Sequence, residues 1–216
     1  MDWGFMLLQL AKGFLTTVEI FVLTLLFSLP LGLLLSFCRM SRFFLIRTLS
    51  KIYISIMRGT PLMLQLLVVY FGPFFVFGIE MGRSFRFVAV IIAFVLNYAA
   101  YFAEIYRAGI ESMPAGQYEA AQVLGYTRFQ TFVRIILPQV VKRILPPVTN
   151  ETITLVKDTS LAFALTVVEM FTTARQIAAA QSSIMPLMVA GVFYYVFNLL
   201  VASGMERIES ALNYYR

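Results

Sequence analysis

The chain has 216 residues, a formal net charge of +6, and a composition that is 60% hydrophobic but only 13% charged. Soluble domains are about 45–50% apolar and about 25% charged, so this composition predicts an integral membrane protein and excludes intrinsic disorder. Cys38 is the only cysteine and there is no histidine, which excludes an intrachain disulfide and removes the usual parts of zinc sites and of many hydrolases. The basic residues fall between apolar stretches, so we do not expect nucleic-acid binding. Without histidine and with one cysteine, we also expect no metal site.

Five apolar stretches, taken in chain order, predict five membrane-spanning helices, because a spanning helix needs about 20 residues. We place them in one all-α domain, 1–216, at about 14–37, 53–77, 87–110, 145–171 and 184–204. The fourth stretch is the weakest, because Glu151, Lys157 and Asp158 interrupt it. Proline and glycine inside the stretches predict either ordinary kinks or helices bent around a substrate path.

Basic residues are concentrated in two of the links between the predicted spans. The first link contains Arg39, Arg42, Arg47 and Lys51, and the link at about 111–142 contains Arg128, Arg134, Lys142 and Arg143. The positive-inside rule places both links in the cytoplasm. We therefore expect a multi-pass membrane protein with its N-terminus outside and its C-terminus inside.

The link at about 111–142 carries a regular pattern. It consists of Glu119-Ala120-Ala121, three residues, Gly125, nine residues, and Ile135-Ile136-Leu137-Pro138. The first part predicts a short helix that Gly125 ends, and an amphipathic stretch at 129–136 predicts a second one. Two short helices at an angle would protrude from the membrane and bind a soluble partner. A helical hairpin lying on the membrane surface is the alternative.

This pattern resembles the EAA loop of ABC importer permeases, E-A-A-x3-G-x9-I-x-L-P, at every fixed position. The segments at 58–62, 103–110 and 157–161 resemble those of polar amino acid permeases of the histidine, glutamine and arginine type. The resemblance implies a five-helix permease fold, two cytoplasmic ATPase subunits, an external substrate-binding protein and a second permease subunit, which we expect to be another copy of this chain. It implies a bacterial cell membrane and an ATPase-coupling surface at Glu119, Ala120, Ala121, Gly125 and Pro138, and we call the cytoplasmic link at about 111–142 the coupling loop.

The chain itself has no phosphate-binding G-x-x-x-x-G-K-[ST] motif. We therefore predict that it is not an enzyme and holds no cofactor, and that the partner ATPase binds ATP and Mg²⁺.

Polar residues inside two predicted spans suggest a substrate site. Asn97 and Glu104 lie seven residues apart, as do Glu151 and Asp158, so each pair shares one helix face. Because the two spans are antiparallel, Glu104 and Glu151 should lie at one depth and Asn97 and Asp158 at another. Tyr101 and Thr154 would lie between these levels. Pairing of the carboxylates with Arg58, Arg107 and Lys157 is the alternative.

Such an acidic interior fits an amino acid that carries a second cation. We predict that the carboxylates bind its cationic groups, while backbone N–H groups and hydroxyls bind its carboxylate at Gly59, Thr60, Thr159 and Ser160. The sequence thus predicts an importer of polar, basic amino acids (arginine, lysine and histidine) that works by alternating access.

Two other classes remain open at this point. One is a channel or ion-coupled secondary transporter for small polar solutes that works without an ATPase. The other is a membrane-embedded enzyme with Glu104 and Asp158 as its acid and base.

Overall fold

The computed structural model describes residues 3–212, and every element in that range is helical. Residues 1–2 and 213–216 of the predicted domain lie outside the described part. The α-helices are α1 Trp3–Arg39, α2 Phe44–Gly59, α3 Leu62–Phe77, α4 Phe85–Glu111, α5 Ala115–Val123, α6 Arg128–Thr131, α7 Leu137–Asp158, α8 Met170–Gln181 and α9 Met185–Leu212. A π-helical turn, Phe132–Ile136, joins α6 to α7, and a 3-10 helix, Thr159–Leu165, follows α7.

The contact between α1 and α4 is the central packing interface of the domain. On α1, the small residues Ser28, Gly32 and Ser36 are buried at four-residue spacing. A Cβ atom added at Gly32 would lie 2.8 Å from the Cβ of Phe102 and 3.0 Å from the carbonyl oxygen of Ala99. Small residues at this spacing let two membrane helices approach closely.

Three of the described helices, α1, α4 and α9, are long and apolar enough to cross a membrane, and the bent pair α2–α3 makes a fourth candidate. The helices α1, α4 and α9 correspond to the first, third and fifth predicted spans, and the bent pair corresponds to the second. The helix α7 does not qualify because it carries Lys142, Arg143, Glu151, Lys157 and Asp158. The all-α membrane fold is confirmed, and the count of five spans stays a prediction.

The second predicted span, 53–77, is not one straight helix, since α2 and α3 meet at a bend of 112°. Pro61 has no N–H to donate to the carbonyl of Met57, and a residue that precedes proline disfavours the helical conformation. Thr60 is accordingly extended, with φ −121° and ψ 147°. The bend lies in the segment where the sequence predicted substrate contacts.

The fourth predicted span, 145–171, differs from the structure at both ends. Helical backbone already begins at α6, because a π-helical turn bridges the position where Pro138 lacks an N–H. The stretch at 129–136 is helical as predicted, but it continues into α7 and is not a short helix of its own. At the other end the α-helix stops at Asp158, and α8 forms where the sequence predicted a link, because the Glu169 carboxylate caps its N-terminus.

The predicted helix stop at Gly125 is confirmed. Gly125 has φ +80°, a conformation that suits glycine because it has no Cβ. Its N–H donates to the carbonyl of Gln122 at 3.0 Å, and the N–H of Tyr126 donates to that of Ala121 at 3.0 Å. These two bonds form a Schellman cap, which ends α5 and turns the chain towards α6.

Candidate substrate cavity and coupling loop

A cavity of about 390 Å³ lies among the α2–α3 bend, α4 and α7. Its walls contain six of the predicted substrate residues, namely Thr60, Asn97, Tyr101, Glu151, Thr154 and Asp158. The polar faces of α4 and α7 therefore meet, and Asn97 lies with Asp158 as the depth argument predicted. The volume falls in the range of small-molecule sites, which runs from about 300 to 1,000 Å³.

Two acidic side chains, Glu151 and Asp158, line this cavity, and no Lys or Arg of the described chain does so. Among residues 3–212 no salt bridge joins either carboxylate to a basic side chain. The hydroxyl of Tyr98, a buried residue of α4, donates a hydrogen bond to Asp158 Oδ2 at 2.8 Å. This bond holds the Asp158 carboxylate at the cavity wall.

A second cavity, of about 400 Å³, lies nearer the coupling loop and contains both Glu104 and Glu151. Glu104 is already neutralised there, because Arg107 approaches its Oε2 at 2.6 Å and Arg39 its Oε1 at 3.8 Å. The alternative of ion pairing is thus confirmed for Glu104 and Arg107. Glu151 and Asp158 form no such salt bridge among residues 3–212, although Arg58 and Arg143 line the second cavity together with Glu151.

The predicted groups for a substrate carboxylate are not all brought together. Gly59 lines a third cavity, beside Glu104 and Arg58. Thr159 and Ser160 line none of these three cavities, and their hydroxyls donate to the carbonyls of Val156 and Lys157, at 2.7 and 2.8 Å. We expected a helix break with exposed N–H groups at Thr159–Ser160, but the N–H of Thr159 bonds to the carbonyl of Leu155. This part of the prediction is wrong, because α7 passes into the 3-10 helix without a new N-terminus.

Three residues near the cavity had no binding role in the sequence analysis. Arg58 lies over the Tyr101 ring, 5.3 Å from its centroid, and lines the second and third cavities. Tyr98 holds Asp158, and Gln65 bonds to the α2–α3 bend. Gln65 had a detectable signal, since it is the one amide side chain within the apolar sequence of α3.

The coupling loop presents apolar side chains outside the helical core. Val123 and Leu124 are 89% and 73% exposed at the end of α5. Of the predicted coupling residues, Ala121 is buried, while the others are exposed, namely Glu119, Ala120, Gly125 and Pro138. Exposed apolar groups of this kind mark a surface that binds a partner.

Comparisons with known proteins identify the family. Residues 28–214 match the family described as binding-protein-dependent transport system inner membrane component. The chain belongs to this family. It is 37% identical over 202 residues to the arginine transport system permease protein ArtQ of Bacillus subtilis. This alignment covers 93% of this chain and 91% of the relative. It is 33% identical over 204 residues to a putative glutamine transport system permease protein of Rickettsia conorii, in an alignment that covers 94% of this chain and 92% of the relative.

Solved structures agree with this assignment. An amino acid ABC transporter crystallised with histidines matches with a TM-score of 0.87 and 29% identity, over 98% of this chain and 99% of that one. An inward-facing methionine ABC transporter matches over 99% of this chain and 100% of that one, with a TM-score of 0.76. At 21% identity, this second match supports the fold and nothing further. This family member is therefore the membrane permease component of an amino acid ABC importer, as the sequence resemblance implied.

Proposed function

We propose that this permease carries basic amino acids (arginine, lysine or histidine) into the cytoplasm by alternating access. The observation that carries the proposal is the pair Glu151 and Asp158 in a cavity that no described basic side chain lines. Both side chains are partly buried and form no salt bridge among residues 3–212, and a carboxylate without a cation at such a place is costly, so the pair favours a ligand with two cationic groups. A basic amino acid supplies an α-ammonium group and a cationic side chain.

The α-carboxylate of the substrate needs a partner too. The N-terminus of α3 begins at the bend, and Leu62, its first residue, lines the cavity together with Thr60. Backbone N–H groups at the end of an interrupted membrane helix suit an anion. We assign the carboxylate to the start of α3 at Leu62, beside Thr60, and no longer to Thr159 and Ser160 or to Gly59, which lines a different cavity.

The similar proteins support a basic substrate without deciding it. The arginine permease of Bacillus subtilis is 37% identical to this chain, whereas other relatives are named for glutamine and cystine. Those relatives make glutamine the competing substrate in any test.

The energy source in this proposal is a separate ATPase that binds ATP and Mg²⁺. Two ATPase subunits dock at the coupling loop, where exposed Val123 and Leu124 supply apolar contact area. A second copy of this chain completes the translocation path, and an external binding protein delivers the substrate. The N-terminus then lies outside the cell and the C-terminus in the cytoplasm.

The two alternative classes are less well supported. A channel or secondary transporter needs no binding protein, whereas the family is one of binding-protein-dependent systems. An enzyme with Glu104 and Asp158 as its acid and base would need both groups at one place, but they line different cavities and Glu104 is paired with Arg107.

Reconstitution tests the proposal directly. The permease, its ATPase and its binding protein are placed in liposomes, and uptake of labelled arginine is measured with and without ATP. We expect ATP-dependent arginine uptake that excess lysine and histidine inhibit more strongly than glutamine does. Stronger inhibition by glutamine would overturn the basic specificity, and uptake by the permease alone would overturn the ATPase requirement.

A further inference from the structure

Two side-chain amides, Gln65 of α3 and Asn97 of α4, meet at the α2–α3 bend. Gln65 Nε2 donates to the carbonyl of Met57 at 2.9 Å, and to the carbonyl and hydroxyl oxygens of Thr60 at 3.2 and 2.8 Å. Asn97 Nδ2 donates to the same carbonyl of Met57 at 3.0 Å and to Gln65 Oε1 at 3.0 Å. We call this pair the amide bridge.

The amide bridge replaces the donor that the backbone lacks. In an uninterrupted helix the N–H of residue 61 would bond to the carbonyl of Met57, but Pro61 has no N–H. A backbone carbonyl left without a donor inside a membrane protein is costly. Gln65 and Asn97 both donate to that carbonyl, so the bend is satisfied only while α3 and α4 keep their present positions.

Asn97 has no spare donor for a substrate. Its amide nitrogen has two hydrogens, and Met57 and Gln65 each accept a bond from it. The residue is only 4% exposed, although part of it reaches the wall of the substrate cavity. Its geometry is that of a group holding two helices together.

We propose that the amide bridge is the positioning element of the substrate cavity. It sets the angle between α2 and α3 and thereby places Thr60, Pro61 and Leu62 opposite Asp158. Asn97, which the sequence analysis assigned to direct substrate contact, acts through the bend instead. The inference rests on the proposed function, because it takes this cavity to be the amino acid site.

Near-isosteric variants that remove the amide groups test this role. Gln65→Met and Asn97→Leu keep side-chain volume but leave the carbonyl of Met57 with one donor fewer. In the reconstituted complex we expect each to raise the KM for arginine about tenfold, the effect of one lost buried hydrogen bond, while maximal ATP turnover stays within about twofold. The double variant should raise the KM by less than the product of the two single increases, because both amides serve one bridge. Gln181→Leu, at the exposed end of α8, is the matched control.

A distance measurement separates positioning from direct contact. In a Cys38→Ser background, spin labels are attached at Ile56→Cys and Val68→Cys, whose native side chains are 52% and 68% exposed on α2 and α3. The doubly labelled chain is diluted with unlabelled copies, so that the distance within one copy is measured. We expect this distance to be narrowly distributed in the parent complex and shifted or broadened in Gln65→Met and Asn97→Leu. The control Gln181→Leu should leave the distribution unchanged.

The outcomes distinguish the inference from the proposed function. A changed distance together with a raised KM supports the positioning role. A raised KM without a change in distance would mean that the amides touch the substrate. If neither the distance nor the KM changes, the amides are dispensable. Either of these two results overturns the inference. A changed distance in a complex whose parent takes up no amino acid would support the positioning role and overturn the proposed function. Because two single variants are used, failure of one to fold leaves the other to decide.

Discussion

The three carboxylates that the sequence placed inside the membrane differ in how their charge is compensated. Glu104 is held by Arg107 and Arg39, at the side of the domain nearer the coupling loop. Asp158 accepts a hydrogen bond from the neutral hydroxyl of Tyr98, and no basic side chain within residues 3–212 forms a salt bridge with Glu151. Glu104 thus belongs to an ion pair within the fold, whereas Glu151 and Asp158 are the two acids that we propose as cation ligands.

Removing one of the available charges should affect basic substrates selectively. We expect Glu151→Gln and Asp158→Asn to lower the apparent affinity for arginine by about ten- to a hundredfold, the cost of one lost charged hydrogen bond. Glutamine has the α-ammonium group but no second cation, so its affinity should change by less than about threefold in the variant that removes the partner of the side-chain cation, and should fall together with that of arginine in the other variant. Uptake competition in proteoliposomes gives both numbers.

The matched control is Glu206→Gln, because Glu206 is exposed near the end of α9. Equal losses for arginine and glutamine in both Glu151→Gln and Asp158→Asn would contradict an acidic cation site. Selectivity would then lie with the external binding protein.

At the scale of elements, α5, which we propose as the helix that contacts the ATPase, ends at the turn formed by Gly125. Its positive φ costs a non-glycine residue about 1–2 kcal/mol, and a long side chain would also project from the exposed loop. We expect Gly125→Arg to insert normally but to lose substrate-stimulated ATP hydrolysis in the reconstituted complex. Gly116→Ala, in the same helix and with no atom near the added Cβ, should retain it. Wild-type stimulation in Gly125→Arg would exclude a coupling role for this end of α5.

The α1–α4 interface makes a separate prediction about stability. Because a Cβ at Gly32 already meets Phe102, Gly32→Leu should overpack this contact and cost about 1–3 kcal/mol. The expected result is a lower thermal unfolding temperature of the purified permease in detergent. Gly191→Leu is the control, since nothing lies near its added Cβ on α9. Equal unfolding temperatures for the two variants would show that the close approach is not required.

At the scale of the whole molecule, the orientation in the membrane can be tested in cells. In a Cys38→Ser background, an impermeant thiol reagent should label Gln181→Cys at the end of α8 in intact cells. It should label Gln122→Cys in α5 only after the cells are permeabilised, because the coupling loop lies inside in our proposal. The reverse pattern would invert the topology and remove the loop from the ATPase.

The pairing of polar residues shows how far sequence reasoning reaches. Helical periodicity and antiparallel spans were enough to predict that Asn97 lies with Asp158 and Glu104 with Glu151. The same reasoning did not show that both amide hydrogens of Asn97 are used at the α2–α3 bend. Periodicity gives the face and depth of a residue, but it does not tell which acceptor a neighbouring helix offers there.

Composition, apolar length and the spacing from Glu119 to Pro138 by themselves determined the membrane class, the family and the stop at Gly125, because each depends on residues close together in the chain. Only the tertiary structure decided the 112° bend at Thr60–Pro61, the pairing of Glu104 with Arg39 and the continuous helical path from α6 into α7. The physical reason is that a missing proline N–H or a buried charge can be compensated in several ways. The partner is chosen by whichever helix the fold packs beside it, and sequence spacing does not record that choice.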